Sequence, residues 1–353
     1  MDSAKASDRK DAHLALAAAP LARSGRSAGF DRVQLDHCAL PESDLASVSI
    51  AKDWLGKTVS APLFIGSMTG GTDYADAINA ALATVAERCG VGLALGSQRA
   101  ALERGSASKH LRSLAPSVPL IGNLGGVQLA ASGGIDLAHR AVDDIEADAL
   151  FIHLNPLQEA VQPEGETDWR GVLAAIETLV PRIGCPVIAK EVGAGISAAV
   201  ARRLYDVGIH AVDVAGLGGT NWTRVEAARR EDAALFDPFL DWGVPTVEAL
   251  VSVRAACPQG RLIASGGIAN GLDAGKALWL GAEMASMAGP VLKAISKDGT
   301  GAPDVDAASA MIHAWQEQLR LALFLTGACD LASFAHRGGR LDGQPFSPMR
   351  AGT

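Results

Sequence analysis

Eight short stretches rich in apolar and small residues recur along this chain, near residues 61–69, 91–97, 118–124, 148–155, 186–192, 210–216, 261–267 and 283–290. Between most of them lie helical patterns with one apolar face, at 75–89, 126–145, 169–182, 197–207, 247–257 and 272–280. Strands that alternate with helices at this spacing imply right-handed βαβ units and a parallel sheet. Eight such units in about 230 residues fit a closed cylinder better than an open sheet. The fold class is therefore α/β, a (β/α)8 TIM barrel with an N-terminal extension and C-terminal closing helices. Residues 1–60 form the extension, 61–327 the barrel and 328–353 a loose tail. Within 31–61 the pattern allows a short strand and a turn at Trp54-Leu55-Gly56, and residues 305–325 read as a closing helix.

Composition narrows the function. A chain of 353 residues, 48% hydrophobic, buries a large core. Its net charge of −8 argues against a nucleic-acid partner, which requires a basic face. Any anionic ligand must be met by a few placed cations. The five cysteines are scattered and form no C-x-x-C pair, which fits reduced thiols in a cytoplasmic protein without a disulfide framework or zinc site. No apolar run is long enough to span a bilayer. The first thirty residues are rich in Ala, Ser and Arg but include Asp2, Asp8 and Asp11, which argues against a targeting peptide.

Barrel enzymes carry their chemistry where the strands end, and the polar residues of this chain collect there. The expected strand ends carry Ser67-Met68-Thr69, Ser97-Gln98-Arg99, Asn123, His153 with Asn155, Gln158 and Glu159, Lys190-Glu191, Thr220-Asn221-Trp222, Ser265-Gly266-Gly267 and Ala288-Gly289. In an extended strand Phe151, His153 and Asn155 share a face, and Pro156 ends the strand. Glycines after strands six, seven and eight let backbone N–H groups approach an anion, and the loops after strands seven and eight are a frequent phosphate site in barrels. Lys190 suits a Schiff-base amine, a cofactor clamp or an ion-pair partner. Arg99 suits a second anion. Glu159 suits Mg²⁺ held jointly with substrate phosphates. The cluster Arg9-Lys10-Asp11-Ala12-His13 suits a segment that folds over the barrel mouth to bind phosphate.

Taken together, RKDAH, SMTGG, GSQR, GNLG, HLNPLQE, KEVGAGIS, GLGGTNW, SGGI and AGP, in this order over roughly residues 9 to 327, resemble the type 2, flavin-dependent isopentenyl-diphosphate isomerases. The resemblance implies an FMN-binding barrel that interconverts isopentenyl and dimethylallyl diphosphate. It implies reduced FMN, supplied by NADPH or NADH, and Mg²⁺, in a cytoplasmic homo-oligomer, a tetramer or octamer. By motif, Ser67, Met68, Thr69, Ser97, Asn123, Lys190, Thr220, Gly266, Gly267, Ala288 and Gly289 would contact FMN. Arg9, Lys10, His13, Ser97, Arg99, His153, Asn155, Gln158 and Trp222 would face the substrate, and Glu159 would hold Mg²⁺. Gln158, His153 and Lys190 would be the catalytic side chains, with Gln158 positioning or relaying a proton and Lys190 stabilising negative charge on the reduced ring. Ala215 stands where family members often have Ser. Moving a proton across an allylic unit needs a strong, shielded acid and base, and these side chains are too few for it, so a cofactor that carries the chemistry is sensible. Competing readings are an FMN barrel oxidase of hydroxy acids, a Schiff-base aldolase using Lys190, and a non-catalytic flavin- or isoprenoid-binding protein.

Overall fold

The computed structural model describes residues 22–68, 73–105, 108–296 and 302–348. Eight parallel strands close into a barrel, in chain order Leu63–Ile65, Gly92–Ala94, Leu120–Gly125, Ala149–Leu154, Val187–Glu191, Ala211–Asp213, Arg261–Ala264 and Met284–Met287. The last strand pairs with the first, Ala285 opposite Leu63, which removes any free edge. Each of the eight apolar stretches supplies one barrel strand. A run buried on both faces is what a strand lined by helices outside and side chains inside requires.

The side chains that fill the barrel follow the two-residue alternation of a strand. One contiguous apolar cluster takes Phe64, Ala94, Ile121, Phe151, Ile188, Ala211, Ile263 and Met284, one residue from every strand. Trp54 and Val59 belong to the same cluster. They come from a hairpin, Lys52–Trp54 with Lys57–Val59, that plugs the N-terminal end of the barrel. Its turn residues Leu55 and Gly56 have φ of 50° and 78°, the signs a type I′ turn needs. Trp54 lies 5.3 Å from Phe64, ring centre to ring centre, and Phe64 lies 6.1 Å from Phe151. The bottom of the barrel is thus sealed by aromatic packing, and only the C-terminal end is left open.

The helices depart from expectation in detail. The pattern over 126–145 is two helices, Gly126–Ala130 and Gly134–Ile145. Gly133, at φ 79°, breaks them apart. Residues 169–182 yield a shorter helix, Val172–Leu179. The closing helix spans Val305–Leu325 as expected and packs on Asp73–Cys89 and Gly271–Trp279.

The C-terminal segment differs more. Instead of hanging loose, Gly339–Leu341 pairs antiparallel with Val33–Leu35, and Gln344–Pro345 adds to the same small sheet. Arg32 grips Asp342 through two bonds of 2.7 Å. Phe346 stacks at 5.8 Å on the buried Trp279, whose Nε1 donates to the Arg337 carbonyl at 2.8 Å. The turn glycines and prolines that suggest a tail here serve a hairpin whose partner strand lies at the other end of the sequence. No helix among the described residues is long and apolar enough to cross a membrane, and all five cysteines are free.

Because the hairpin plug fills the barrel floor, Trp54→Ala should destabilise the protein by about 3–5 kcal/mol through lost burial and a residual cavity. Urea denaturation of the variant would show this, and a loss below about 1 kcal/mol would mean that the plug is dispensable.

Candidate functional site

Two residues beyond the apolar cluster, every barrel strand or its immediate extension presents a residue to the open end: Gly66, Gly96, Asn123, His153, Lys190, Asp213, Ser265 and Ser286. All eight line one cavity of about 320 Å³. The alternation that buries Phe151 and Ile188 thereby aims His153 and Lys190 into the mouth. Loops after the strands add the rest of the wall.

The same cavity brings together Ser67, Met68, Ser97, Arg99, Asn123, His153, Asn155, Gln158, Glu159, Lys190, Thr220, Trp222, Gly266, Gly267, Ala288 and Gly289. Thr69, Arg9, Lys10 and His13 lie outside the described residues. The chain at its first described residues does run along the rim. Arg23 bridges Thr220, the Ser24 N–H donates to Gly219 at 3.0 Å, and the Asn221 N–H donates to the Ala22 carbonyl at 2.6 Å.

One wall is built for close approach. Gly266 and Gly267 have φ of 95° and 71°. A Cβ on Gly266 would sit 2.1 Å from the Gly216 carbonyl oxygen, and one on Gly267 would sit 2.6 Å from the Gly218 backbone. Thr246 Oγ1 donates to the Gly266 carbonyl at 2.6 Å and fixes the turn. Nearby, the Ser67 hydroxyl is buried and has no hydrogen-bond partner among the described residues. A bare backbone with an unengaged hydroxyl is suited to a polar ligand group such as a phosphate.

The facing wall is a polar network. Asn123 Nδ2 donates to the Leu95 carbonyl at 2.9 Å, so Asn123 Oδ1 must accept, and it lies 2.8 Å from His153 Nδ1. His153 therefore carries its proton on Nδ1 and leaves Nε2 as an acceptor. Burial, reinforced by the positive charges of Lys190 and Arg99, drives its pKa down to about 3. Asn155, at the start of the helix Pro156–Val161, donates from Nδ2 to Gln158 Oε1 and Glu159 Oε1, both at 3.1 Å. Gln158 Nε2 in turn donates to Glu226 Oε1 at 3.0 Å. The amide of Gln158 is thus held at both ends, in one orientation. Glu226 is fully buried and is neutralised by Arg229 at 2.6 Å.

Arg99 faces Glu166 at 3.0 Å, and Gln128 donates to the other oxygen of that carboxylate. The Glu166 N–H donates to Glu159 Oε2 at 2.8 Å. An internal carboxylate thus sits between Arg99 and Glu159. Glu191 looks away from this network. Its Oε2 accepts from the N–H groups of Val192 and Gly193 at 2.6 Å, Gly195 at 3.2 Å, and Ala194. Burial pushes its carboxyl up to about 7 against those donors. Its work is to order the loop after strand five. No group of three or more His, Cys, Asp or Glu among the described residues is arranged to hold a metal, so Glu159 would need oxygens from a ligand.

Asp213, Glu226, Glu166 and Gln128 were not singled out in the sequence. Asp213 was within reach, since it lies two residues past the inward-facing Ala211. Glu226 and Glu166 carry no local signal, because their partners are distant in the chain.

A barrel closed at one end, with a glycine-lined pocket at the other, defines an α/β-barrel of the phosphate-binding kind. The model of the FMN-dependent dehydrogenase family matches residues 155–338. Solved mandelate oxidases share the fold. One, carrying a monooxide FMN adduct, has a TM-score of 0.64 at 17% identity, covering 91% of this chain and 94% of that one. Another, with (S)-4-hydroxymandelic acid, has a TM-score of 0.65 at 18% identity, covering 94% and 99%. Sequence relatives are nearer. An isopentenyl-diphosphate delta-isomerase of Stutzerimonas stutzeri is 49% identical over 331 residues, 92% of this chain and 94% of its own length. One of Xanthobacter autotrophicus is 48% identical, covering 94% and 96%, and one of a Nostoc species is 40% identical, covering 96% of each. The chain belongs to the type 2, FMN-dependent isopentenyl-diphosphate delta-isomerase family.

The hydrogen-bond pattern predicts that His153 stays neutral, protonated on Nδ1, from pH 9 down to about pH 5. Nitrogen-15 NMR of labelled histidine would check this. A His153 resonance titrating near pH 6.5, the value of a free imidazole, would contradict it.

Proposed function

We propose that the protein interconverts isopentenyl diphosphate and dimethylallyl diphosphate by a 1,3-allylic proton shift at this cavity, with FMN bound in its reduced form. NADPH or NADH would supply the electrons, and Mg²⁺ would offset the charge of the substrate's diphosphate. The observation that carries the reading is the pairing, in one cavity, of a glycine-lined wall suited to a flavin phosphate with a facing wall where Arg99 and Glu159 suit a diphosphate and its metal and Gln158 stands beside them. A small hydroxy acid needs a cation for its carboxylate but no clamp for a diphosphate and its metal, which favours the isomerase over an oxidase built on the same barrel.

Ser67, Met68, Thr69, Ser97, Asn123, Lys190, Thr220, Gly266, Gly267, Ala288 and Gly289 are the residues we assign to FMN. When bound, its ring would supply the acid and base that the protein's own side chains lack. Lys190 would place positive charge against that ring. Arg99 would take one end of the substrate diphosphate, with Arg9, Lys10 and His13 brought in by the N-terminal segment. Neutral His153 would accept a hydrogen bond at Nε2. Gln158, fixed by Asn155 and Glu226, would hold its amide against the reacting carbons or relay a proton between them. Trp222 would close the hydrocarbon side and help exclude water. Glu159 would hold Mg²⁺ jointly with phosphate oxygens. A homo-oligomer, tetramer or octamer, and a cytoplasmic location accompany this reading.

The substrate's diphosphate would compete with Glu166 for the guanidinium of Arg99. Glu166→Gln should therefore tighten binding of inorganic pyrophosphate severalfold in calorimetric titration, and weaker binding would show that Glu166 helps to hold the metal instead. Gln158→Ala should lower kcat by at least about 100-fold with little change in KM, and an unchanged kcat would remove Gln158 from the proton path. The reading as a whole is tested by anaerobic incubation with FMN, NADPH, Mg²⁺ and isopentenyl diphosphate. Formation of the dimethylallyl isomer, abolished when FMN is omitted, is expected. Absence of product, or equal product without FMN, would overturn it.

A further inference from the structure

Asp213 ends the sixth barrel strand on the cavity floor and is 1% exposed. Its Oδ1 accepts from Ser265 Oγ at 2.6 Å and from the Ala215 N–H at 3.3 Å. Its Oδ2 is buried with no hydrogen-bond partner among the described residues. Buried carboxylate oxygens are rarely left so, because the lost solvation must be replaced. Lys190 is the residue directly opposite Asp213 on the adjacent fifth strand, and strand alternation aims both side chains inward. The ammonium of Lys190 has three N–H groups, and one of them donates to the Glu191 carbonyl at 2.6 Å. Burial disfavours the charge on each residue, and each is favoured by the charge on the other.

We propose that Asp213 is a positioning residue, the buried counter-ion that keeps Lys190 protonated and directed into the cavity. A lysine in a low-dielectric pocket without a counter-charge sheds its proton, and the resulting amine would lose its electrostatic hold on a flavin. The other groups facing Lys190 cannot replace Asp213. His153, opposite Lys190 on the fourth strand, is neutral. Glu191, on the lysine's own strand, also favours the charge on Lys190, but less than Asp213 does, and burial pushes its own carboxyl up to about 7 while its Oε2 serves the loop N–H groups. Ser265, from the seventh strand, carries no charge. The inference rests on the FMN reading only for what Lys190 acts upon. The charge coupling itself stands on the facing positions of Lys190 and Asp213 on strands five and six.

The test compares wild type, Asp213→Asn, Asp213→Glu and the double variant Lys190→Met with Asp213→Asn. Affinity for oxidised FMN is read by flavin fluorescence between pH 7 and 9. Wild type should be flat. Asp213→Asn should lose affinity as pH rises, by up to about tenfold per unit once Lys190 titrates, and Asp213→Glu should restore the flat profile. The double variant should be weak at every pH but flat. A flat Asp213→Asn profile, or a sloping double variant, would overturn the proposal. Chemical denaturation supplies a second arm that needs no cofactor. The double variant should be more stable than either single variant at pH 7, and additive losses would overturn the pair. Wild type that binds no FMN at any pH would remove the functional reading while the denaturation arm still decides the ion pair.

Discussion

The structure depends on closing eight parallel strands so that every second side chain points inward. Inside the barrel there is room for one apolar set, and the hairpin carrying Trp54 seals it from below. The next inward residue on each strand has nowhere to go but the open end. Polar residues at that position face the cavity yet are buried from solvent, as Asn123, Lys190 and Asp213 are, so they must find polar partners there. The same constraint that stabilises the barrel therefore assembles the site, and the identities of eight residues, two steps past the apolar set, decide what the site can bind.

That geometry explains how the two walls come to differ. Strands seven and eight extend into glycine and small residues, so backbone faces the ligand. Strands three and four extend into Asn123, His153, Asn155 and the start of a helix, so side chains face it. His153 is held neutral by burial and by the positive charges beyond it, while Asn123 fixes which nitrogen accepts. Gln158 is oriented by Asn155 from its own turn and by Glu226 from the helix Trp222–Ala227 after strand six. An amide has no charge to lose, and this one is gripped at both ends, so its orientation is fixed.

Much of this was legible in the sequence because it is periodic and local. All eight strands and the helix Val305–Leu325 show their alternation or amphipathicity within a few residues. His153 and Asn155 at one strand end, and Gln158 and Glu159 in the short helix Pro156–Val161 that follows, are close together in sequence for the same reason. What escaped notice was long-range. Arg32 and Asp342 are 310 residues apart, so the C-terminal hairpin gives no local sign that it will find a partner strand. Glu226 reaches Gln158 across 68 residues, and Glu166 reaches Arg99 across 67. The break at Gly133 is a matter of one backbone dihedral inside a pattern that remains amphipathic on both sides. Asp213 is the instructive case, since counting inward positions from Ala211 would have found it.

The claim that the open rim positions a flavin is tested most directly by a crystal structure of the protein soaked with FMN. The account predicts the phosphate beside Gly266, Gly267 and Gly289, with the ring spanning the cavity against Lys190. A phosphate lodged among Arg99, His153 and Glu159, or density outside the barrel mouth, would contradict it.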